Sequence, residues 1–370
     1  IYSTTPTMEI AEIMFSDSID ILRREAKRDN LPPIYEKKDV ENTMKLWKTL
    51  PYHSDLDIGG GFSVSLKDAG HILGSAMFYI KRNNRTIVFT GDLGNSPAPL
   101  LRDTEILGDT NYLVMESVYG DRNHEDKKQR KDLLEDIIEK TIARGGALMI
   151  PAFSLERTQD LLYEINNLVE KDKIPSVPIF LDSPLAIKVT KIYKHSSEYF
   201  NKDATMAIKS GDDIFNFPRL SFTLRREESM AIKDTPNPKI IMAGSGMSNG
   251  GRIIHHEKRY LPDPNSTLLI IGYQAIGSLG RRIQEGAKKV TILGERIPVL
   301  ARIEKITGYS AHKDSDGLVD FVQGGNDKLE KVFVAMGEPK SAMFLAQRLK
   351  DYVGVKAVVP KKGDSVNIDL

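Results

Sequence analysis

The sequence predicts an α/β protein in which a strand-rich region comes first and a parallel, helix-covered sheet follows. Between residues 62 and 115, short strand-like segments alternate with tight turns, and polar residues follow several of these segments. After Asp121 the pattern becomes an alternation of apolar strand segments and amphipathic helices, which is typical of a parallel sheet covered by helices. We therefore expect two different kinds of sheet within one chain.

The composition is that of a folded globular chain. Its 370 residues, of which 40% are hydrophobic, can form one large core or two cores of ordinary size. Lys and Arg number 52 against 51 Asp and Glu, so any binding to phosphates must come from a local arrangement of cations. The absence of cysteine excludes disulfides and thiolate zinc sites and favours a reducing, cytoplasmic location. No run of 18 apolar residues is found, so we expect no membrane partner.

The first region begins with a helix and continues with strands. Thr5 and Pro6 predict the helix start, Met14 and Ile21 fall near its packing face, and the Pro32-Pro33 pair ends it. Asn83-Asn84 predicts a hairpin turn between two strands. We predict strands at about residues 62–66, 77–79, 86–89 and 112–115.

The middle of the chain reads as a domain inserted into a sheet that begins before it and resumes after it. Strands are predicted at residues 147–150, 179–181, 240–243 and 268–271, with helices around residues 133–142 and 161–168. A further strand at 299–306 is assigned to the returning segment. The predicted domains are therefore residues 1–121, the insertion 122–298, and the returning segment 299–370.

Four polar residues are placed where a sheet could direct them to one point. His71, Asp92 and His312 each lie in a small Gly/Ser/Ala-rich loop directly after a strand, and Glu116 ends the strand at residues 112–115. Spacing alone does not bring them together. A single His or Asp after a strand is more often a satisfied turn residue, and Glu116 could instead be a surface carboxylate at a strand end.

The residues around these positions carry a resemblance to a known family. The segments Ala69-Gly-His-Ile-Leu-Gly-Ser-Ala, Thr90-Gly-Asp-Leu-Gly and Glu116-Ser-Val-Tyr-Gly-Asp-Arg resemble successive motifs of metallo-β-lactamase fold nucleases with a β-CASP insertion. This is the family of ribonuclease J and of the endonuclease that cleaves pre-mRNA before polyadenylation. Phe180-Leu-Asp-Ser-Pro-Leu-Ala, Ser245-Gly-Met-Ser-Asn-Gly-Gly-Arg and Ser310-Ala-His-Lys-Asp extend the resemblance over most of the chain. A generic Rossmann-like sheet would explain the alternation but not the histidine loops.

The resemblance implies a metallo-β-lactamase αββα sandwich with an inserted β-CASP domain and a site for two zinc ions. His71 would bind one zinc and Asp92 would bridge both. Glu116 and His312 would form a hydrogen-bonded catalytic pair, with His312 giving a proton to the leaving oxygen. Single-stranded RNA would be the substrate, and a homodimer is an option that the sequence leaves open.

The insertion offers candidate substrate contacts. Ser245, Gly246 and Met247 follow a predicted strand in a glycine-rich turn whose backbone N–H groups could bind a phosphate. Arg282 could contact a single-stranded backbone. An ordinary structural turn and a solvated charge are the alternatives.

The sequence departs from the family at two places. The main zinc motif, His-x-His-x-Asp-His, is absent, and because Ile1-Tyr-Ser-Thr-Thr resembles the segment that follows it, we expect the natural protein to begin further upstream. The family also expects a zinc-binding His before Gly337-Glu338, where this chain has Met336. A thioether does not replace imidazole on zinc. Met336 could also be a core residue that follows a buried strand.

These observations leave two main hypotheses about function. The first is a zinc-dependent ribonuclease with endonuclease activity, and 5′ exonuclease activity is a further option. The second is an RNA-binding member of the family with impaired catalysis, favoured by Met336 and the missing histidines. Hydrolysis of a small molecule is disfavoured, because an inserted domain suits an extended strand better.

Overall fold

The structure is a computed structural model that describes residues 1–124, 129–325 and 328–370. The chain divides into two compact units. Unit 1 comprises residues 1–123 and 311–370, and unit 2 comprises residues 124–310. Within the described ranges, no helix is both long and apolar enough to cross a membrane.

The first part of unit 1 is rich in short strands. Thr4 caps the first helix by accepting a hydrogen bond from the Thr7 backbone N–H, and Asn30 ends it in a left-handed conformation. Its packing face differs from the prediction, because Met14 and Ile21 are exposed while Ile19 is buried. The elements are β1 (Tyr2–Ser3), α1 (Thr5–Asp29), α2 (Lys37–Lys45), β2 (Lys48–Thr49), β3 (Leu56–Gly59), β4 (Phe62–Asp68), β5 (Ala76–Arg82), β6 (Arg85–Phe89) and β7 (Tyr112–Met115).

Unit 2 follows as an alternation of helices and strands. Its elements are α3 (Gln129–Ala143), β8 (Ala147–Pro151), α4 (Arg157–Glu170), β9 (Ile179–Asp182), α5 (Pro184–Lys194), α6 (Lys202–Lys209), β10 (Leu220–Phe222), α7 (Arg226–Ala231), β11 (Lys239–Ala243), α8 (Ile253–Tyr260), β12 (Thr267–Ile270), α9 (Leu279–Gln284), β13 (Lys289–Ile292), β14 (Glu295–Pro298) and β15 (Arg302–Lys305). Short 3-10 turns cover Ser197–Tyr199 and Ile232–Asp234. The chain then returns to unit 1 with α10 (Ser315–Gln323), β16 (Lys331–Val334), α11 (Pro339–Arg348), a π-helical turn at Leu349–Val353, and β17 (Ala357–Val358).

The main sheet of unit 1 has seven strands in the order β17-β16-β7-β6-β5-β4-β3. Strands β3 to β6 pair antiparallel, and β6, β7, β16 and β17 pair parallel. The predicted hairpin is confirmed, since Arg82 pairs with Arg85 across Asn83 and Asn84, both with positive φ. Leu113 and Val332, both fully buried, lie in the core on this sheet, where truncation to Ala would cost about 2–5 kcal/mol.

The sheet of unit 2 has six parallel strands in the order β10-β9-β11-β8-β12-β15. All five residues of both β8 and β11 are buried, as expected for a parallel sheet covered on both faces. The α/β prediction is thus confirmed, with a mixed sheet in one unit and a parallel sheet in the other.

The predicted start of the returning segment at residue 299 lies earlier than the structural boundary. Strand β15 pairs with β12 from Thr267 opposite Arg302 to Ile270 opposite Lys305, so it completes the parallel sheet of unit 2. The chain re-enters unit 1 only at Ala311. An apolar strand pattern does not reveal which of two sheets the strand will join, and this explains the difference.

Candidate metal centre

The candidate site of unit 1 lies at one edge of its seven-stranded sheet. Strands β4, β6, β7 and β16 run in the same direction, so their carboxyl ends meet at one edge. His71 follows β4, Asp92 follows β6 and Glu116 follows β7. The sheet register therefore delivers three of the four predicted residues to the same region.

The fourth residue, His312, arrives with the returning segment. The Asn95 backbone N–H donates to the Ala311 carbonyl at 2.7 Å, and the Lys313 N–H donates to the Leu93 carbonyl at 2.9 Å. His312 pairs with Gly94 between these two bonds. A short two-stranded contact therefore fixes His312 beside the loop that carries Asp92.

Gly94 also joins the loops of His71 and Asp92. A Cβ atom at this position would lie 1.9 Å from the carbonyl oxygen of Gly70, a distance that no side chain tolerates. The Gly94 N–H donates to the Ala69 carbonyl at 2.8 Å, which holds the two loops together. Only glycine allows this approach, so the residue directly sets the spacing of the two candidate ligands.

His71, Asp92 and His312 form a compact donor cluster. Each offers one ligand atom, and the three atoms lie within 4.8 Å of one another. The His71 Nε2 atom lies 3.8 Å from an Asp92 carboxylate oxygen, and the rings of His71 and His312 have centroids 4.5 Å apart. The Asp92 side chain is 43% exposed, so one side of the cluster is open to a ligand.

Glu116 lies behind this cluster and is fully buried. Its carboxylate accepts hydrogen bonds from the Leu93 N–H at 2.5 Å and from the Val118 N–H at 3.3 Å. Both carboxylate oxygens lie 3.2 Å from Nδ1 of His312. A carboxylate at this distance favours a proton on Nδ1 and leaves the other ring nitrogen for chemistry. Glu116 is therefore an internal partner of His312, which rules out the alternative of a surface carboxylate.

The donor set suits zinc. Imidazole nitrogen and carboxylate oxygen are ordinary zinc ligands, and a catalytic zinc site keeps at least one position open for water or substrate. The structure places the His71 imidazole and the partly exposed Asp92 carboxylate together, with the His312 imidazole beside them, so His71 and Asp92 fit a share of the ligands of a zinc ion.

Met336 lies at the same edge of the sheet, directly beyond β16. The Ala335 N–H donates to the Met115 carbonyl at 2.8 Å, which aligns this segment with the strand leading to Glu116. The Met336 side chain is 55% exposed, so the alternative that it is a core residue is wrong. Its φ of 54° lies in the left-handed region, which His and Asn adopt more readily than Met.

The predicted substrate residues lie in unit 2, in the turn after β11 and on α9. The Ser245 N–H already donates to the Gly250 carbonyl at 3.2 Å, so this group is engaged within the turn. Gly246 packs against Phe153, whose ring would lie 2.8 Å from a Cβ atom there, and the Met247 carbonyl accepts from the Gly280 N–H at 3.1 Å. Arg282 is exposed on α9. The turn is thus held tightly in place, and Arg282 extends to solvent.

A buried polar network in unit 2 was not predicted from the sequence. Asp182 at the end of β9 is fully buried, and it accepts hydrogen bonds from His256, Thr223, Ser229 and Arg252 at 2.6–2.7 Å. Burial opposes ionisation, but these hydrogen bonds outweigh it and lower the pKa of Asp182 to about 2. His256 is therefore the partner of a buried carboxylate, and the acidic position at a strand end was the sequence signal that could have indicated it.

The pKa of a second buried carboxylate of unit 2 is shifted in the opposite direction. Glu257 is fully buried and accepts a hydrogen bond from the Ser248 hydroxyl, which lies in the glycine-rich turn. Burial raises the pKa of Glu257 to about 8, and the Ser248 hydrogen bond offsets only part of this effect. The group is therefore largely protonated at neutral pH.

The fold and the cluster are those of a metallo-hydrolase of the metallo-β-lactamase type with an inserted α/β unit. Three family models match the chain. They are a metallo-beta-lactamase superfamily domain at residues 1–119, a Beta-Casp domain at residues 158–283, and a Zn-dependent metallo-hydrolase RNA specificity domain at residues 296–360.

Curated relatives agree over nearly the full chain. Ribonuclease TTHA0252 of Thermus thermophilus is 33% identical over 94% of this chain and 78% of its own length. The RNase J-like protein of Methanocaldococcus jannaschii is 32% identical over 98% of this chain and 82% of its own length. Transcription termination factor FttA of Methanosarcina mazei is 32% identical over 94% of this chain, which spans 55% of that protein. The chain belongs to the β-CASP ribonuclease family of metallo-β-lactamase fold proteins.

Proposed function

We propose that this chain is a zinc-dependent ribonuclease that hydrolyses phosphodiester bonds in single-stranded RNA. The observation that carries the proposal is the cluster of His71, Asp92 and His312 with Glu116 buried behind it. The family models for a metallo-hydrolase and an RNA specificity domain support the metal and the substrate class. Two relatives named as a ribonuclease and an RNase J-like protein support the reaction.

The roles of the residues follow from their surroundings. We assign His71 and Asp92 to the metal, because each offers a ligand atom to the same compact cluster and the Asp92 side chain is 43% exposed. Bound zinc would neutralise phosphate charge and lower the pKa of the attacking water. Hydrolysis forms a bond from the water oxygen to phosphorus and breaks the bond to the leaving oxygen, which must receive a proton.

His312 is the group we assign to that proton transfer. Its Nδ1 faces the Glu116 carboxylate, which stabilises the protonated ring, and the ring lies within reach of the metal ligands. Glu116 in turn is held by two backbone N–H groups, so it positions His312 without contacting the substrate itself. We further propose Ser245, Gly246, Met247 and Arg282 as substrate contacts. The homodimer and the cytoplasmic location stay predictions.

A second candidate function is RNA binding without efficient cleavage. The observation that favours it is Met336, an exposed thioether where the family expects an imidazole ligand. Loss of that ligand would weaken one of two metal positions while leaving the rest of the cluster intact.

One assay separates the two functions. The purified chain is incubated with a 5′-labelled 30-nucleotide single-stranded RNA, with zinc, with excess chelator, and with zinc restored after chelation. The ribonuclease proposal predicts cleavage that the chelator stops and zinc restores, while RNA binding measured in the chelator persists. Binding without cleavage under all three conditions would overturn it in favour of the second function. An equal cleavage rate in the chelator would contradict both.

A further inference from the structure

Unit 2 contains a cavity that the metal centre does not explain. Its volume is about 700 Å³, and it is lined by α7 with the 3-10 turn that follows, and by α8. The two segments contribute one row each, from Arg226 to Lys233 and from Arg252 to Arg259. The four lining residues of the first row recur at intervals of three, one and three, which is the spacing of one helix face. The second row repeats this spacing and adds Lys258. We call this cavity the α7/α8 pocket.

Cations dominate the lining of the α7/α8 pocket. Five of its residues are Arg or Lys, and no acidic side chain contributes to the lining in the described part of the chain. The five are Arg226, Lys233, Arg252, Lys258 and Arg259. Since Lys and Arg exceed Asp and Glu by only one over the whole sequence, this local excess is a property of the pocket and not of the chain.

Two of these cations are paired with carboxylates, and for the other three the described part of the chain shows no ion pair. Arg252 is paired with Asp182 at 2.7 Å and Lys258 with Glu295 at 2.6 Å. By contrast, Arg226, Lys233 and Arg259 are exposed, and within residues 1–124, 129–325 and 328–370 no ion pair joins them to a carboxylate. Glu228, which neighbours this row, accepts hydrogen bonds from the backbone N–H groups of Leu224 and Arg225.

The wall of the pocket is held by Asp182. This carboxylate accepts hydrogen bonds from Ser229 on α7, from Arg252 before α8 and from His256 on α8, all at 2.7 Å. One fully buried group thus fixes both rows relative to each other. Such pre-organisation means that a bound anion would not have to order the wall, which lowers the entropic cost of binding.

The chemistry of the pocket matches a nucleic-acid strand. Each row extends over about 10 Å at the helical rise of 1.5 Å per residue, with a cation at both ends. The exposed His255 ring and the exposed Met230 side chain lie within the same lining and offer apolar surface for a base. A cationic groove that also presents rings or apolar groups is the usual arrangement for single-stranded nucleic acid.

We propose that the α7/α8 pocket binds a segment of single-stranded RNA through its phosphates, with Arg226, Lys233 and Arg259 as the contacting cations. The inference rests on the proposed ribonuclease function for the identity of the strand. It adds a binding site in unit 2, whereas the cluster of His71, Asp92 and His312 belongs to unit 1.

The test measures RNA binding in chelator, where cleavage does not interfere. A fluorescein-labelled 12-nucleotide oligouridylate is titrated with the full chain at 50–200 mM salt, and binding is followed by fluorescence anisotropy. The triple variant Arg226→Ala, Lys233→Ala, Arg259→Ala is compared with Lys188→Ala, Lys202→Ala, Lys209→Ala. The control lysines are exposed on α5 and α6 of the same unit, so both variants lose the same charge.

The slope of log K against log salt measures the number of phosphate contacts, and each contact on a single strand contributes about 0.7 to it. Because the pocket variant lacks three cations, we expect its slope to be about 2 less steep than that of the parent. The control variant should keep the parent slope. Equal slopes and affinities for the pocket variant and the parent would overturn the proposal, as would an equal loss in the control. If uridine 5′-monophosphate binds the pocket as tightly as the 12-mer, the site recognises a free nucleotide, which also overturns it.

Cleavage measured in parallel with zinc keeps this result separate from the proposed function. A parent chain that binds through the pocket but does not cleave contradicts the ribonuclease proposal and supports the pocket. A parent chain that cleaves while the pocket variant binds as the parent does leaves the ribonuclease proposal intact and overturns the pocket.

Discussion

Two aspartates, one at the end of a strand in unit 2 and one just after a strand in unit 1, have opposite surroundings. Asp92 in unit 1 is 43% exposed, and its carboxylate lies 3.8 Å from the nearest His71 nitrogen. Asp182 in unit 2 is fully buried and accepts four hydrogen bonds, one of them within an ion pair with Arg252. Both occupy the same kind of position at a strand end. A candidate metal ligand is therefore distinguished from a structural carboxylate by carboxylate oxygens that can still accept a ligand, and not by its position in the fold.

The largest effect should come from Asp92→Ala. Because the carboxylate is assigned to the metal, its loss should lower RNA cleavage by about a thousandfold, the scale of losing a group that stabilises transition-state charge. The free energy of unfolding should change by less than about 0.5 kcal/mol, since the side chain is partly exposed. The cleavage rate at saturating RNA measures the first effect, and urea unfolding measures the second. A variant that cleaves at the parent rate would remove Asp92 from the site.

Asp182→Ala, in contrast, should act mainly on the free energy of unfolding. Removing a buried carboxylate leaves Arg252 and His256 without their carboxylate partner, which costs about 3–5 kcal/mol of unfolding free energy. Thr223→Val is the matched control, because it removes one hydrogen bond to Asp182 and should cost about 1 kcal/mol. Urea unfolding of the variants measures both. An Asp182→Ala protein as stable as the parent would show that the network does not hold unit 2 together.

Glu257→Gln should have a smaller effect that depends on pH. The pKa of Glu257 is raised from 4.5 to about 8 in the folded state, so its contribution to stability is greatest below pH 4.5 and is lost as the pH rises towards 8. Gln cannot ionise and does not lose stability in this way. The free energy of unfolding of the variant, relative to that of the parent, should therefore rise on the order of 2 kcal/mol between pH 5 and pH 7.

The measurement for Glu257→Gln is urea unfolding at pH 5 and at pH 7, with Glu139→Gln as the control because Glu139 is exposed on α3. The control should follow the parent at both pH values. If the stability difference between Glu257→Gln and the parent is the same at pH 5 and 7, Glu257 does not titrate as its burial indicates. Asp182 does not interfere in this window, since its lowered pKa affects stability only between about pH 4 and 2.

Local patterns predicted much of the fold. The strands near 62–66, 86–89 and 112–115 appear as β4, β6 and β7, and the Asn83-Asn84 hairpin is present. These elements depend on alternation and turn chemistry, which act over a few residues. Strand β15 was predicted in the returning segment, and its pairing with β12 in the parallel sheet is a long-range choice that its own residues do not reveal.

The site was predictable only through the resemblance. Each of His71, Asp92 and His312 looks like an ordinary turn residue by itself, and only the sheet register and the contact at Gly94 bring them together. The network of Asp182 with His256 was missed for the same reason, since its members come from β9 and α8. For Met336 the sequence left open a position equivalent to a zinc ligand and a core position, and its exposure excludes the second.

The central claim is that His71, Asp92 and their neighbours form a metal centre. Elemental mass spectrometry of the chain purified without added zinc, compared with Asp92→Ala and with the control Glu257→Gln in unit 2, tests it most directly. We predict bound zinc in the parent, retained in Glu257→Gln and lost in Asp92→Ala. Equal zinc in all three proteins, or none in the parent, would contradict the claim.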